Sequence, residues 1–334
     1  MSLSSSARLL GAGALAVAAL TLSGCGKRDD AGPADAPARI TFSILSAQGQ
    51  ASAAPLWQPL LDDLAEAIDA PVRPHFASTY ATLVEDMKRG DTQVAWFSGQ
   101  PAVDAIDNAD AELIARTVNL EGADSYRSTL IVRRGSGITL NDVLACGKRY
   151  SFGMGDAQST SGTLAPATFL FNPRGIQPAA CFATIRSDNH ERNAFNVASG
   201  VLDVAASNSV TSAAFRRQNP TLAGQIEQIW QSPPIPEGGI VLRSDLDPAV
   251  KEKIRSFFLT YGQGDGVEAE RQRRVLAGLS YSRFSAADDD YLDPVREMMA
   301  DQALVEARGR NDRAAIAAAE RELQRLRARR EVRP

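Results

Sequence analysis

Consecutive hydroxyl side chains in the middle of the chain carry the clearest chemical signal. Ser159, Thr160 and Ser161 follow a glycine-containing segment, and residues 162–170 predict a helix. A helix N-terminus leaves backbone N–H groups without partners and carries roughly half a positive charge, so it favours a bound anion. Hydroxyl groups can also rotate to meet the oxygens of a tetrahedral anion. The pattern indicates an oxyanion site, and an ordinary helix N-cap at Ser159 or Ser161 is the alternative.

The sequence offers little for covalent or metal chemistry. It has two histidines, His75 and His190, no cysteine–histidine cluster with zinc-site spacing, and no GxxxxGK[ST] phosphate loop. No carboxylate cluster stands beside the three hydroxyls, so a secreted enzyme acting on phosphate esters would lack its base or metal ligands. A net charge of −4 argues against nucleic-acid binding. We expect no enzymatic activity, no metal and no cofactor.

The N-terminus has the layout of an export signal. Residues 1–8 include one basic side chain, residues 9–22 are apolar, and small residues lead to Cys25. The apolar run is shorter than the ~20 residues that span a bilayer. We expect a lipoprotein signal peptide at residues 1–24, a lipid anchor on Cys25 and a flexible polar tether over residues 25–38. The protein would then be periplasmic and held to the membrane only by this anchor; an ordinary secretory signal is the alternative.

With Cys25 assigned to the anchor, Cys146 and Cys181 remain as a pair. Each precedes a predicted strand, and strands joined by one crossover helix are expected neighbours. An exported protein lies in a compartment that permits disulfides. We expect a Cys146–Cys181 disulfide, and two buried free thiols are the alternative.

Strand and helix periodicities alternate along the chain, which predicts βα units and parallel pairing. The predicted helices cover residues 57–68, 80–88, 162–170, 192–199 and 248–259. The predicted strands cover residues 39–45, 72–76, 93–97, 128–133, 149–154, 182–186, 203–206 and 239–242. This order predicts an α/β fold of two lobes, each a mainly parallel sheet flanked by helices. Ligand pockets in such folds lie at the carboxyl ends of strands and between domains.

Both ends of the predicted core contribute to one lobe. Residues 39–130 and 235–300 are assigned to lobe 1 and residues 131–234 to lobe 2, with the strand at 128–133 and a segment near 231–237 crossing between them. Residues 301–334 are expected to form a C-terminal helical extension. Its apolar residues, which recur at helical spacing, are Ile316, Ala319, Leu323 and Leu326. They predict packing of this helix on its own lobe, with a helix frayed in solvent and a homodimer contact as the alternatives.

Ordered motifs resemble those of the phosphonate- and phosphite-binding proteins of ABC importers. The signature is Ser159-Thr160-Ser161-Gly162 with Pro166 four residues later. The other stretches that match in order are Trp57-x-Pro59-Leu60, Thr79-Tyr80-Ala81, Val94-Ala95-Trp96-Phe97, Ser125-Tyr126-Arg127-Ser128, His190, residues 196–206 and residues 232–236. The resemblance covers about residues 39–295 and implies the two-lobed fold of type II periplasmic binding proteins.

The resemblance also implies a function and a site. A small phosphorus oxyanion or phosphonate, such as phosphite, a short alkylphosphonate or phosphate, would be captured by hinge closure and delivered to ABC permease subunits. A periplasmic sensor for a two-component system, with the same pocket, is the alternative. The implied ligand contacts are Tyr80, Tyr126, Ser159, Thr160, Ser161 and His190.

The nature of the ligand's organic group follows from a second feature of the same relatives. Members that bind aminoalkylphosphonates place two carboxylates against the amine. Counting along this chain, those positions fall on Val210 and Gly238, while Glu237 lies one residue away, where a loop could still bring it to the second position. The resemblance therefore implies a small ligand without a terminal amine, packed against Val210. Trp96 is expected in the core rather than in the pocket.

Overall fold

The computed structural model describes residues 39–45 and 48–332. The predicted signal peptide, the anchor Cys25 and the tether lie outside the described residues. None of the helices in the described part of the chain is long and apolar enough to cross a bilayer.

Strands and helices alternate along the described chain. The strands are β1 (Ile40–Ile44), β2 (Val72–His75), β3 (Val94–Phe97), β4 (Ala111–Asn119), β5 (Ser125–Tyr126), β6 (Ser128–Arg133), β7 (Ser151–Met154), β8 (Thr184–Ser187), β9 (Val204–Asn208), β10 (Ile226–Gln231), β11 (Ile235–Pro236), β12 (Gly239–Arg243) and β13 (Tyr281–Ala286). The α-helices are α1 (Gln50–Ile68), α2 (Tyr80–Lys88), α3 (Gly99–Asn108), α4 (Leu140–Leu144), α5 (Pro178–Cys181), α6 (His190–Ala198), α7 (Ser209–Gln218), α8 (Pro220–Ala223), α9 (Pro248–Thr260), α10 (Val267–Gly278), α11 (Asp293–Gly309) and α12 (Arg313–Val332). Two π-helical stretches cover Thr160–Leu164 and Ala167–Phe171.

The strands form two main sheets, which confirms the predicted two-lobed α/β fold. Lobe 1 has a six-stranded sheet in the order β13-β4-β12-β3-β1-β2, and lobe 2 a five-stranded sheet in the order β10-β6-β9-β7-β8. The parallel pairs are β1–β2, β1–β3, β7–β8 and β7–β9. Strands β4, β6, β10, β12 and β13 add antiparallel pairs, so each sheet is mixed. The parallel half of each sheet carries the helices that lead to the cleft.

A short two-stranded sheet links the lobes. It pairs β5 with β11 in antiparallel register, with Tyr126 opposite Ile235 and Ser125 opposite Pro236. Strand β6 pairs along its length with β9 and β10, so it belongs wholly to the second sheet and is not the predicted crossover. We therefore place the lobe boundaries at the β5–β11 link rather than at residues 130 and 131.

Each lobe has its own apolar core. In lobe 1, Phe42 and Phe258 are fully buried on one face of the sheet, and Phe97 is fully buried on the other. In lobe 2, Phe152 stacks on Phe182 with ring centroids 4.4 Å apart. Burial of such rings stabilises each lobe by about 2–3 kcal/mol per side chain, which makes each sheet a rigid support for the loops at its edge.

A disulfide joins Cys146 and Cys181 at one edge of lobe 2, with their Cα atoms 4.4 Å apart. Cys146 follows α4 and Cys181 ends α5, and both precede the parallel strands β7 and β8. The disulfide therefore lies at the amino ends of these strands, opposite the edge that faces lobe 1.

The C-terminal extension is helical, as predicted, and forms a hairpin whose first helix begins before residue 301. Helix α11 begins at Asp293, and α12 folds back on it after Asn311, which has a φ of 54°. Ala300 and Leu304 of α11 pack against Ala319 and Leu323 of α12. The predicted apolar stripe is thus covered by the protein's own chain.

Candidate ligand-binding site

A cavity of about 70 Å³ lies between the lobes, at the carboxyl ends of their parallel strands. Its lobe 1 and link residues are Leu45, Gln48, Ala53, Trp57, Tyr80, Trp96, Ser98, Tyr126, Glu237, Gly238, Leu279 and Tyr281. Its lobe 2 residues are Ser159, Ser161, His190, Asn208, Val210 and Thr211. None of these described lining residues is a lysine or an arginine.

Helix N-termini surround this cavity. Strands β1, β2 and β3 lead into α1, α2 and α3 on the lobe 1 side. On the lobe 2 side β7 leads into the π-helical turn, β8 into α6 and β9 into α7. Each N-terminus directs a partial positive charge and free N–H groups towards the space between the lobes. The cavity therefore suits an anion that is held by dipoles and neutral donors instead of a buried cation.

Two glycines shape the hydroxyl loop. Gly155 N donates to the Gly162 carbonyl at 3.0 Å, so the loop closes on itself. A Cβ on Gly162 would lie 2.6 Å from the Gly155 Cα, and one on Gly155 would lie 2.8 Å from the Gly162 Cα. Ser159 caps the following turn, because its Oγ accepts from Gly162 N at 3.0 Å. The N-cap interpretation thus describes Ser159, which also lines the cavity.

The turn after Ser159 is wider than an α-helix. The Leu164 N–H reaches back to the Ser159 carbonyl at 3.0 Å, a π-helical spacing. Pro166 has no N–H to donate, and π turns on both sides of it accommodate the interrupted ladder. The N–H groups of Thr160 and Ser161 stand at the start of this segment, where they have no helical partner.

The hydroxyl of Ser161 contacts two other polar side chains of lobe 2. Its Oγ lies 3.1 Å from His190 Nε2 and accepts from Asn208 Nδ2 at 3.3 Å. Its carbonyl accepts from Ser128 Oγ at 2.6 Å, which fixes the turn on β6. His190 is the first residue of α6, and Asn208 is the N-cap of α7. The starts of three helical segments therefore converge on one hydroxyl.

Burial keeps His190 uncharged. The side chain is 3% exposed, and this desolvation lowers the pKa of His190 to about 4, with the Ala206 carbonyl opposing the shift. The imidazole is therefore neutral at pH 7, where it can share one N–H with a ligand oxygen. The Ser161–His190 contact is not backed by a carboxylate in the described chain, so it lacks the third group of a hydrolase triad.

Thr160 does not line the cavity as a ligand hydroxyl would, which corrects its predicted side-chain contact. Its Oγ1 accepts from Gln100 N at 2.8 Å and lies 3.3 Å from Ser98 Oγ, both in lobe 1. The hydroxyl is committed because α3 of lobe 1 packs directly against this turn. Thr160 thus joins the lobes through its side chain.

The two predicted tyrosines lie where the lobes meet. Tyr126, in β5, is 7% exposed; burial raises the pKa of its hydroxyl, and hydrogen bonding with Ser161 and Thr160 opposes the shift. Tyr80 begins α2, and its backbone N–H donates to Asp156 Oδ2 of lobe 2 at 3.2 Å. Both phenols line the cavity as neutral groups.

The lobe 1 wall contains residues that sequence reasoning misplaced. Trp96, expected in the core, lines the cavity beside Trp57 and Tyr281. Glu237 also lines it, although the motif count had put the carboxylate position on Gly238. Glu237 follows β11, and its N–H donates to the Asp124 carbonyl at 3.0 Å, which turns the side chain into the cleft.

Glu237 is a buried carboxyl that forms no ion pair with any cation in the described part of the chain. It is 4% exposed; burial raises the pKa of Glu237 to about 8, the Gly238 N–H opposes this and Asp124 adds to it. The carboxyl is therefore mostly protonated at pH 7. Val210, predicted as an apolar wall, also lines the cavity.

Hydrogen bonds connect the lobes on several sides of the cavity. Gln158 Nε2 donates to Asp104 Oδ2 at 3.0 Å, and Ser52 Oγ donates to Glu191 Oε2 at 3.0 Å. Away from these, Arg217 Nη2 donates to Ser280 Oγ at 2.6 Å. The cavity is enclosed because the two lobes meet around it.

An anion pocket enclosed between two α/β lobes, which are joined by a pair of crossing strands, defines the two-lobed class of solute-binding proteins. Residues 42–292 match the model of the periplasmic substrate-binding proteins of phosphonate ABC transporters. The chain belongs to this family. It is accordingly a periplasmic substrate-binding component of an ABC importer and not an enzyme.

Individual relatives agree with this assignment. The chain is 34% identical over 260 residues to a phosphonates-binding periplasmic protein of Escherichia coli strain K12, covering 78% of this chain and 75% of that protein. A binding protein component of an ABC phosphonate transporter from Pseudomonas aeruginosa superposes with a TM-score of 0.81 at 34% identity, over 88% of this chain and 98% of that one. PhnD1 from Prochlorococcus marinus, solved with methylphosphonate, shares the fold, with a TM-score of 0.69, 19% identity and coverage of 78% and 97%.

Proposed function

We propose that the protein captures a small phosphorus oxyanion or short phosphonate in the interlobe cavity and delivers it to its ABC permease. The ligand class comprises phosphite, phosphate and short alkylphosphonates. The observation that carries this proposal is the convergence of helix N-termini and hydroxyls on a cavity without a lysine or arginine in its described wall. A tetrahedral oxyanion fits such a donor set, and release is easier because no buried ion pair has to be broken.

Individual residues have distinct roles under this proposal. Ser161, His190 and Tyr126 donate to the anionic oxygens from side chains, while Thr160 and the capped turn at Ser159 offer backbone N–H groups. Tyr80 would approach from lobe 1. These assignments rest on the cavity lining and on the hydrogen bonds among the residues themselves.

Ligand capture would proceed by hinge closure at the β5–β11 link. The contacts of Gln158 with Asp104 and of Ser52 with Glu191 join the lobes and would break if the cleft opened. A ligand that bridges both walls binds the closed form better and shifts the population towards it. The permease would then recognise the closed form. The relatives carry transport names, and no observation favours the sensor role.

The presence of Glu237 changes the argument about the ligand's organic group. One carboxyl does face the cavity, so the motif count no longer excludes an amine. Val210 still occupies the place of the second carboxylate with an apolar side chain. A short neutral substituent remains the proposal, and an amine is the competing outcome.

We also propose that the mature protein is lipid-anchored through Cys25. The order of a basic start, an apolar run and small residues within residues 1–24 supports this proposal. A homodimer through the C-terminal helix stays a prediction, although the apolar stripe that suggested it is covered by α11.

Calorimetric titration and thermal-shift measurements test the ligand class. Phosphate, phosphite, methylphosphonate and ethylphosphonate should be compared with sulfate and acetate as control anions. At least one phosphorus ligand should raise the midpoint of unfolding with the concentration dependence RT ln(1 + [L]/Kd). Stabilisation by sulfate alone, or by none of the phosphorus compounds, would show the proposal to be wrong.

A further inference from the structure

Two buried polar atoms on the lobe 1 wall of the cavity have no hydrogen-bond partner within residues 39–45 and 48–332. They are the indole Nε1 of Trp96 and the carboxyl Oε1 of Glu237. Buried polar groups in folded proteins are nearly always paired, and leaving one unpaired costs about 1–3 kcal/mol. Because both residues line the cavity, a ligand is the partner that would satisfy these atoms.

The two residues are neighbours in space. Gly238 follows Glu237 directly and has no side chain to separate the peptide from the indole. A Cβ on Gly238 would lie 2.8 Å from Trp96 Cζ2 and 3.0 Å from Cε2, the ring carbon bonded to Nε1. The indole edge therefore runs along the peptide that carries Glu237. The unpaired indole N–H and the unpaired carboxyl oxygen thus belong to two residues that line the same cavity.

This pair lies on the wall opposite the oxyanion donors. Ser161 and His190 belong to lobe 2, whereas Trp96 and Glu237 belong to the lobe 1 side. A phosphonate held by lobe 2 would point its carbon substituent towards the indole and the carboxyl. The cavity of about 70 Å³ allows only a short substituent.

We propose that the favoured ligand is a short phosphonate whose carbon chain ends in a hydroxyl group, with Trp96 Nε1 donating to the hydroxyl oxygen and Glu237 Oε1 accepting a hydrogen bond from the hydroxyl O–H. The inference rests on the proposed function and names the substituent that the same site selects. A hydroxyl supplies one acceptor and one donor, which match the two unpaired atoms.

Other substituents match this wall less well. An alkyl group leaves both polar atoms unpaired. An ammonium group has donors but no acceptor, so it would pair with Glu237 and leave the Trp96 N–H facing a cation. It would also need further acceptors, whereas the side chain of Val210 is apolar. A second acidic group on the ligand would face the carboxyl of Glu237.

The first experiment compares matched ligands on the full mature protein by calorimetry at pH 7. 2-Hydroxyethylphosphonate should bind at least about tenfold tighter than ethylphosphonate, as should hydroxymethylphosphonate relative to methylphosphonate. Equal or weaker binding of both hydroxyl compounds would overturn the inference while leaving the proposed function in place. Tighter binding of 2-aminoethylphosphonate than of 2-hydroxyethylphosphonate would overturn it too, because the wall would then be an ammonium site. No binding of any phosphonate would instead refute the proposed function itself.

The second experiment uses variants to place the hydroxyl. Trp96→Phe removes the indole donor but keeps an aromatic ring, and Glu237→Leu removes the carboxyl acceptor at a similar side-chain volume. Each should reduce the ratio of hydroxyethyl to ethyl affinity towards one. Trp230→Phe, in the lobe 2 core, is the matched control and should preserve the ratio. A ratio that survives both cleft variants would show that the hydroxyl lies elsewhere.

Discussion

At the scale of single residues, Ser161 has the most direct role. Its hydroxyl contacts His190 and Asn208, which come from the starts of two different helices. A ligand oxygen placed at this point would replace or join those contacts. The free protein has alternative partners for the same groups, whereas a buried ligand oxygen has few.

Ser161→Ala should therefore weaken binding of the best phosphorus ligand by about 1–3 kcal/mol, or roughly 5- to 150-fold in Kd. The unfolding midpoint of the ligand-free protein should change little. Calorimetric titration measures the first quantity and a thermal melt the second. Ser199→Ala, exposed at the far end of α6, is the control and should leave the affinity unchanged. Unaltered affinity in Ser161→Ala would place the oxyanion elsewhere in the cleft.

Glu237 links the site to the pH dependence of stability. Its pKa is raised to about 8 in the folded protein, above that of an unfolded chain. The neutral carboxyl is the form that the folded protein favours. Its contribution to the free energy of unfolding is therefore fully present below the unfolded pKa and is lost as pH rises through the folded pKa. Glu237→Gln stays neutral, so it should be more stable than the wild type by up to about 3 kcal/mol at pH 7.

Urea unfolding at several pH values tests this expectation. The stability gap between Glu237→Gln and the wild type should widen from pH 5 to pH 8. The same substitution at the exposed Glu121 should show no such trend. A constant gap would mean that Glu237 titrates as an ordinary carboxyl and is not desolvated in the cleft.

Residue-level prediction from the sequence succeeded where the chemistry is local. A hydroxyl run before a helix indicates its own N-terminus, so the N-cap at Ser159 could be predicted from the pattern, and ligand binding by Ser159 and Ser161 stays a prediction. The position of Glu237 in the cavity was not predicted, because its orientation depends on the turn after β11 and on a hydrogen bond to Asp124. Asp124 lies 113 residues earlier in the sequence, so motif counting does not include this contact. Trp96 was assigned to the core because an aromatic residue in an apolar strand looks the same whether it faces a core or a cavity.

At the scale of elements, the parallel strands and the antiparallel strands β6 and β12 were predictable, whereas β4, β10 and β13 were not. Helix α2 and strand β6 occupy the ranges that periodicity predicts. Strands β4 and β10 are each followed by another strand instead of a helix, and β4, β10 and β13 all join the sheets through long-range pairing. The hairpin of α11 and α12 was not predicted. The residues around its turn at Asn311 have the same helix-favouring composition as the helices on either side, so composition does not mark the turn.

The disulfide is an element-scale feature with a measurable contribution. Cys146 and Cys181 are separated by 35 residues, and closing a loop of this size stabilises the fold by about 3–4 kcal/mol on the chain-entropy model. The double variant Cys146→Ala/Cys181→Ala should lose about that much free energy of unfolding in urea. Unreduced peptide mapping of the exported protein should recover the two cysteines in one linked peptide.

Reductant supplies the control for that experiment. It should lower the stability of the wild type to the level of the double variant and leave the double variant itself unaffected. Ligand affinity should survive in both, because the disulfide lies at the edge of lobe 2 away from the cavity. Recovery of both cysteines as free thiols in the unreduced protein would contradict the pairing.

At the scale of the whole molecule, the site exists only where the lobes meet. Thr160 contacts Ser98 and Gln100 of the opposite lobe, and Tyr80 contacts Asp156. Affinity therefore includes the free energy of bringing the lobes together as well as that of the ligand contacts. Substitution of a residue that contacts the other lobe but not the ligand should change the affinity only through the free energy of lobe closure.

Gln158 provides the test of that coupling. Its amide donates to Asp104 across the cleft at 3.0 Å, and neither residue lines the cavity. Burial, with Asp107 as a further cause, raises the pKa of Asp104 to about 6, so closing the lobes over this carboxylate has a cost that the Gln158 amide offsets. Gln158→Ala should weaken ligand binding by about five- to tenfold, which corresponds to the roughly 1 kcal/mol of one hydrogen bond. The thermal stability of the ligand-free protein should be unchanged, and small-angle scattering should show that more ligand is needed to reach the compact form.

Gln228→Ala, exposed in lobe 2 and away from the cleft, should behave like the wild type. If Gln158→Ala binds normally, or if it melts earlier without ligand, the contact belongs to the fold of the protein and not to its closure.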